Sequence, residues 1–243
     1  MPRLFPAALL LLLAACADQP AAETSLMVVF DEATTASLDT HERESITAIL
    51  AESESEAREL LPTLPDTILV TVVVIDRNVD VVGGVTGRAD APGSVIVELS
   101  SVYPGGAMAA AETALASTAF HEFHHLSRGW TIEGNRFGPG IPTAAVNEGL
   151  ASVFSEEYTG VYFPDAYAYP DEAADWLAEI QTLPLDADYA TWMMNEHPDG
   201  RNSIGYRVGR YIVHQASERS GLDVLELSKL EPDEILGLAA PSR

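Results

Sequence analysis

Between residues 107 and 127 the chain holds seven alanines and neither glycine nor proline, a composition that leaves a long helix as its natural conformation. Leu115, Ala119, Phe123 and Leu126 recur there at helical spacing and form one apolar stripe. The same stretch carries His121-Glu122-Phe123-His124-His125, an HExxH pattern. On a helix, residues four apart lie about 40° from each other, so both imidazoles leave one face a turn apart. Two nitrogens placed in this way can reach one zinc ion at about 2.0–2.1 Å. Glu122 projects beside them, displaced enough to address a water rather than the metal, where a carboxylate can act as the base of a hydrolytic reaction. His124 points about 100° away from each ligand and is expected to pack or to support them.

A hydrolytic zinc site needs a third protein ligand and an open position. The extended HExxHxxGxxH pattern is absent, because Arg128 is followed by Gly129 and no histidine lies nearby. Instead, 22 residues separate His125 from Glu148, which lies within Val146-Asn147-Glu148-Gly149-Leu150-Ala151 on a predicted second helix, 143–158. Here the chain resembles the gluzincins, in which a second helix delivers a glutamate within an N-E-G-x-A segment. The resemblance implies His121, His125 and Glu148 as ligands of one zinc ion per chain. Gly149, beside the ligand, is expected to let this helix and the HExxH helix approach closely. More narrowly, HEFHH, NEGLASVF and the later IGYRVGRYIV resemble a bacterial family known as predicted zinc-dependent proteases, over roughly residues 110–215. That resemblance implies a zincin-like fold, and gluzincins often place a Tyr or His from a later helix as donor to the oxyanion. Tyr206, between Gly205 and Gly209, is the candidate, with an ordinary half-buried tyrosine as the alternative. His214 is expected to be structural, and His41 and His197 are given no role.

The remaining pattern supports an α+β class. Apolar positions at helical spacing predict a helix over 42–61, ended by Pro62 and Pro65. The β-branched run Thr67–Ile75 predicts a strand buried on both faces. The glycine-rich stretch 83–93 predicts a loop or hairpin connection, and Ser94–Leu99 a strand nearer an edge. That strand could border the cleft and pair with an extended peptide, or lie in the interior. Residues 128–142 and the aromatic stretch 160–170 predict loops, and 172–182 and 203–220 helices. Tyr162, Phe163, Tyr167, Tyr169, Trp192 and Met193 could line pockets or form core beneath a loop. The order of helix, strands and then helices predicts a small twisted sheet plus the HExxH helix in one lobe and a mainly helical second lobe.

Before this domain, residues 1–16 read as a secretory signal, with Arg3, an apolar run, and Leu13-Ala14-Ala15-Cys16 resembling a bacterial lipobox. Lipidation at Cys16, a tether over 17–24 and a metallopeptidase domain over 25–243 follow as expectations. They place the protein in the cell envelope, anchored by lipid on the non-cytoplasmic side, and the expected state is a monomer. Cys16 is the only cysteine, so no internal disulfide supports the fold. The formal charge is −24, and no lysine precedes Lys229, which excludes nucleic-acid binding. The expected partner is a peptide or protein substrate. Two other readings stay open: a zinc-binding envelope lipoprotein that does not cut, and a zinc hydrolase of non-peptide amides or esters. An intact Glu122 speaks against the first.

Overall fold

A computed structural model of the chain describes residues 25–240. The signal segment, Cys16 and the tether lie outside the described residues. The class is α+β, a four-stranded mixed sheet accompanied by many helices. Strands β1 (Ser25–Phe30), β2 (Thr67–Ile75), β3 (Val85–Ala91) and β4 (Ser94–Ser100) stand in the order β1-β2-β4-β3. β1, β2 and β4 run parallel, and β3 returns antiparallel along β4. Parallel neighbours cannot be joined by a tight turn. The crossover from β1 to β2 is made by helices α1 (Glu32–Ser37) and α2 (Thr40–Leu60). A capping box fixes the start of α2, with Asp39 and Glu42 each accepting from the other's backbone N–H.

Two expectations about the sheet are corrected. The strand at Ser94–Ser100 is interior, and the edge beside it is β3, inside the stretch read as a loop or hairpin connection. β2 is buried on one face only: Ile68, Val70 and Val72 are fully enclosed, whereas Leu69, Thr71 and Val73 on the other face are half-buried. The enclosed face continues through Val95, Val97 and Leu99 and is covered by the stripes of α2 (Ile46, Leu50, Ala57) and of the HExxH helix (Leu115, Ala119, Phe123, Leu126).

The long helix spans α3 (Gly106–Ala110), a π-helical turn (Ala111–Leu115) and α4 (Ala116–Arg128). Its other face meets α5 (Ile141–Thr159), where Phe120 stacks on Phe154 at 5.7 Å between centroids. Beyond lie α6 (Pro164–Tyr167), α7 (Ala173–Ile180), a second π-helical turn (Ala190–Met194), α8 (Ile204–Ser220), α9 (Val224–Leu227) and α10 (Pro232–Ala239). α5 and α8 touch through their backbones. A Cβ on Gly149 would fall 2.2 Å from the Gly209 carbonyl carbon, and one on Gly209 would fall 2.1 Å from the Ala145 oxygen. Gly149 therefore admits α8 rather than the HExxH helix. No helix among the described residues is long and apolar enough to cross a membrane.

Candidate metal centre

α4 ends in a way that matters for the site. Gly129 adopts φ +72°, Gly129 N–H bonds Leu126 O at 3.2 Å, and Trp130 N–H bonds His125 O at 2.9 Å. This Schellman turn satisfies the last carbonyls of the helix and reverses the chain, so that Trp130 lies back against the turn carrying His125. One turn along, the buried Arg128 guanidinium donates to Asn147 Oδ1 at 3.0 Å, and to the carbonyls of Ser228 and Leu230. Asn147 precedes Glu148, so this contact fixes the register of α5 against α4 beside the histidines. Burial holds the Arg128 pKa down at about 10, which still leaves it charged near neutral pH.

Three ligand atoms meet between the two helices. His121 Nε2 and His125 Nε2 lie 2.9 Å apart, and Glu148 Oε2 lies 3.1 Å from His121 Nε2 and 3.2 Å from His125 Nε2. In a tetrahedral zinc site with bonds of about 2.0–2.1 Å, adjacent ligand atoms are separated by roughly 3.3 Å. The triangle is within a few tenths of an ångström of that. Its donors, two imidazoles and one carboxylate, suit zinc, and the cluster can hold a metal ion. Two facing imidazole nitrogens with a carboxylate oxygen also share protons poorly, which a cation resolves.

Glu148 is oriented through its other oxygen. Trp130 Nε1–H donates to Oε1 at 3.0 Å, and Tyr189 OH reaches the same atom at 3.5 Å. Despite its burial, contact with the two histidines holds the Glu148 carboxyl well below the usual carboxylate range. Burial opposes the charged form of His121, but bonding to Glu148, with Glu122 beyond, raises it above an ordinary histidine.

Glu122 is buried beside the triangle, and its Oε2 has no hydrogen-bond partner among the described residues. Burial raises its pKa, opposed by His121 and His125 and by the Ala89 backbone. Its space comes from β3: a Cβ on Gly87 would lie 2.7 Å from both Cγ and Oε1 of Glu122. Gly84 O accepts from Ser100 N–H at 2.9 Å, which makes them a hydrogen-bonded antiparallel pair. By alternation, the backbone groups of Val85, Gly87 and Ala89 point away from β4. Ala89 O takes the Ile132 N–H at 2.9 Å, and Gly87 lines the cleft, whereas Val85 is buried.

A cleft of about 990 Å³ opens over these groups, lined by β3, the loop after α4, the cleft face of α5, Tyr189 and Tyr206. Burial first, then the charge of Glu148 and the neighbouring Tyr189, pushes the Tyr206 phenol well above the ordinary tyrosine range, so it stays protonated as a donor. The Tyr167 ring lies tilted against that of Tyr206, 5.7 Å between centroids. Tyr162, Phe163, Tyr167, Tyr169, Trp192 and Met193 do not line the cleft, and Met193 is core beneath Gly205. His124 is buried away from the triangle, its Nε2 2.7 Å from Ser228 Oγ and its ring 5.2 Å from that of Phe154. His214 Nδ1 meets Tyr169 OH at 3.1 Å, and His197 pairs with Asp199. Trp130, Tyr189 and Gly87 have no signal in the sequence as strong as that of the motif residues.

Comparison with curated proteins and with solved structures returns no match. Residues 46–237 match the model of a family described as predicted Zn-dependent protease (DUF2268), a span that contains the three candidate ligands, Glu122 and Tyr206. The chain belongs to this predicted zinc-dependent protease family.

Proposed function

We propose that the protein is a zinc metallopeptidase of gluzincin type with a zincin-like arrangement. In this reading His121, His125 and Glu148 hold one zinc ion, Glu122 is the general base, and Tyr206 is the oxyanion donor. The observation that carries it is the near-equilateral triangle of two Nε2 atoms and one carboxylate oxygen, 2.9–3.2 Å on a side, with a second carboxylate beside it in an open cleft, one of whose oxygens has no partner among the described residues.

Zinc supplies a polarised carbonyl and a more acidic water. Glu122 takes the proton from the attacking water and passes it to the leaving amine. Burial favours that role by making its carboxylate a stronger base than a solvated glutamate. Tyr206, kept protonated, can donate to the developing oxyanion, and Tyr189 faces the same space. Trp130 leaves Glu148 one oxygen for the metal. The strand addition first considered for Ser94–Leu99 passes to β3, whose edge at Gly87 faces the cleft and can pair with an extended peptide. We further propose the lipid-anchored envelope location and the monomeric state expected from the sequence.

The test is a zinc count on the purified protein, with a mixed peptide library assayed against wild type and Glu122→Gln. Zinc retained in both, with cleavage lost in Glu122→Gln, supports the reading. Zinc bound without cleavage by either protein points to a binding module. Turnover of small amides or esters alone points to another hydrolase.

A further inference from the structure

Among the described residues, the three most exposed large apolar side chains are Leu185 at 71%, Ile132 at 66% and Met194 at 66%; the next reaches 52%. They belong to three separate segments: the loop after α4, the loop after α7 and the second π-helical turn. All three line the cleft over the metal ligands. Side chains of this kind are costly to leave in water, and their grouping around one opening marks a surface that a partner covers.

The wall between them and the metal ligands is also apolar. Ile141 and Ala144 precede Glu148 on α5 by seven and four residues and line the cleft with it. The first falls two turns from the ligand and the second one turn, about 6 Å along the axis. Ala144 is short, which leaves room for a visiting side chain at that distance. Leu185 leans over Gly140, its Cδ2 3.3 Å from where a Cβ would stand there, and closes the outer side of this space. The cationic groups on the opposite rim are already matched: Arg77 bonds Glu98 at 2.7 Å, and Arg88 lies 3.4 Å from Glu98 and 3.3 Å from Asp90. They offer little to select a charged residue.

We infer that the cleft takes an extended, unfolded polypeptide whose bulky apolar side chains flank the bond to be cut. This rests on the peptidase reading and names its substrate class. Such residues are buried in folded proteins, so the client is an unfolded or misfolded chain rather than a polar surface loop of a native one.

The experiment compares matched unstructured peptides bearing Leu or Ser at the positions flanking the cleaved bond, using zinc-loaded wild type, Leu185→Ser, Met194→Ser and Leu185→Met. Wild type is expected to favour the Leu peptide by at least about tenfold in kcat/KM. Each Ser variant is expected to lower that ratio by roughly threefold to tenfold through KM, with Leu185→Met retaining it. Thermal denaturation of the variants controls for folding. A wild type indifferent to Leu or Ser, or a ratio untouched by both rim variants, overturns the inference while Glu122-dependent cleavage keeps the peptidase reading. If no peptide is cut, both fall. Flotation with phosphatidylcholine vesicles gives the remaining arm: vesicle binding lost in the rim variants, with peptide selectivity unchanged, makes the rim a lipid contact and overturns the proposal.

Discussion

Replacing Trp130 by Phe removes one bond from the metal centre and little else. The indole N–H donates to Glu148 Oε1 at 3.0 Å, on the oxygen that does not face the histidines. Phe keeps an aromatic ring beside Phe137, which the indole meets at 6.4 Å between centroids. A hydrogen bond to a charged group contributes about 1.5–3 kcal/mol. Each 1.4 kcal/mol is about a factor of ten in affinity, and outer partners of metal ligands are commonly worth about 10–100-fold. Trp130 is only half-buried, so water replaces part of the lost bond, and the expected loss of zinc affinity is about tenfold. Tyr189 reaches the same oxygen at 3.5 Å, the outer limit of a hydrogen bond, so Tyr189→Phe is expected to cost less, about threefold or below. Zinc competition against a chromophoric chelator measures both, with thermal denaturation of the metal-free variants as the control for packing. An intact Trp130→Phe protein that binds zinc as tightly as wild type, or a larger effect from Tyr189→Phe, would refute the assignment of Trp130 as the residue that positions Glu148.

Gly87→Ala places a methyl group 2.7 Å from Glu122 Cγ and Oε1, so turnover is expected to fall about 100-fold while one zinc per chain is retained. Equal losses of zinc and turnover would show instead that β3 supports the ligands. Gly209→Ala sets a Cβ 2.1 Å from the Ala145 carbonyl oxygen, where no side chain can move aside. Separating α8 from α5 in this way is expected to cost about 1–3 kcal/mol, a fall in Tm of roughly 2–12 °C, together with weaker zinc binding because α5 carries Glu148. An unchanged Tm contradicts the close packing. The metal-free protein is expected to be most stable in mild acid. Glu148, held low in the folded state, contributes stability above its ordinary value of 4.5 that is lost as pH falls further. His121, held high, contributes below its ordinary value of 6.5, and that is lost as pH rises through its folded pKa. Zinc competes with protons for the same ligands, so the Tm gained on adding zinc should grow from about pH 5 to pH 7.5. A gain in differential scanning that is flat or falls with pH excludes these histidines as the ligands.

The candidate ligands were legible because their signal is local. His121 and His125 need only a helical period, which the alanine-rich stretch supplies, and Glu148 needs one further helix with a glycine beside it. The helix over 143–158 is found at Ile141–Thr159, and that over 42–61 at Thr40–Leu60, where the capping box at Asp39 fixes the first turn. β1 was missed although Ser25–Phe30 is an apolar run bounded by Asp31, and β3 was read as a connection, which left Ser94–Leu99 as a strand nearer an edge. Adding β1 alone does not make it interior, because β1 pairs with β2. The strand that covers its other side is β3.

β3 shows why the rest was not legible. Its sequence, VTGRADA, has a glycine at its third position and charged residues after it, features that lower strand propensity and suggest a connection. Its two charges pair on the half-buried face, Arg88 with Glu98 of β4 and with Asp90 beside it. The glycine is demanded by Glu122, whose carboxylate takes the volume that a side chain would fill. The residue that hides the strand from a propensity reading is thus the one that admits Glu122, the proposed catalytic base. The same holds for Trp130 and Tyr189, which lie on loops after α4 and α7 and reach Glu148 only once α5 has been docked against α4. Such contacts are set by tertiary packing, and a periodicity of 2 or 3.6 carries no trace of them. What a sequence can reveal about a centre of this kind is the part that rides on one regular element at a time.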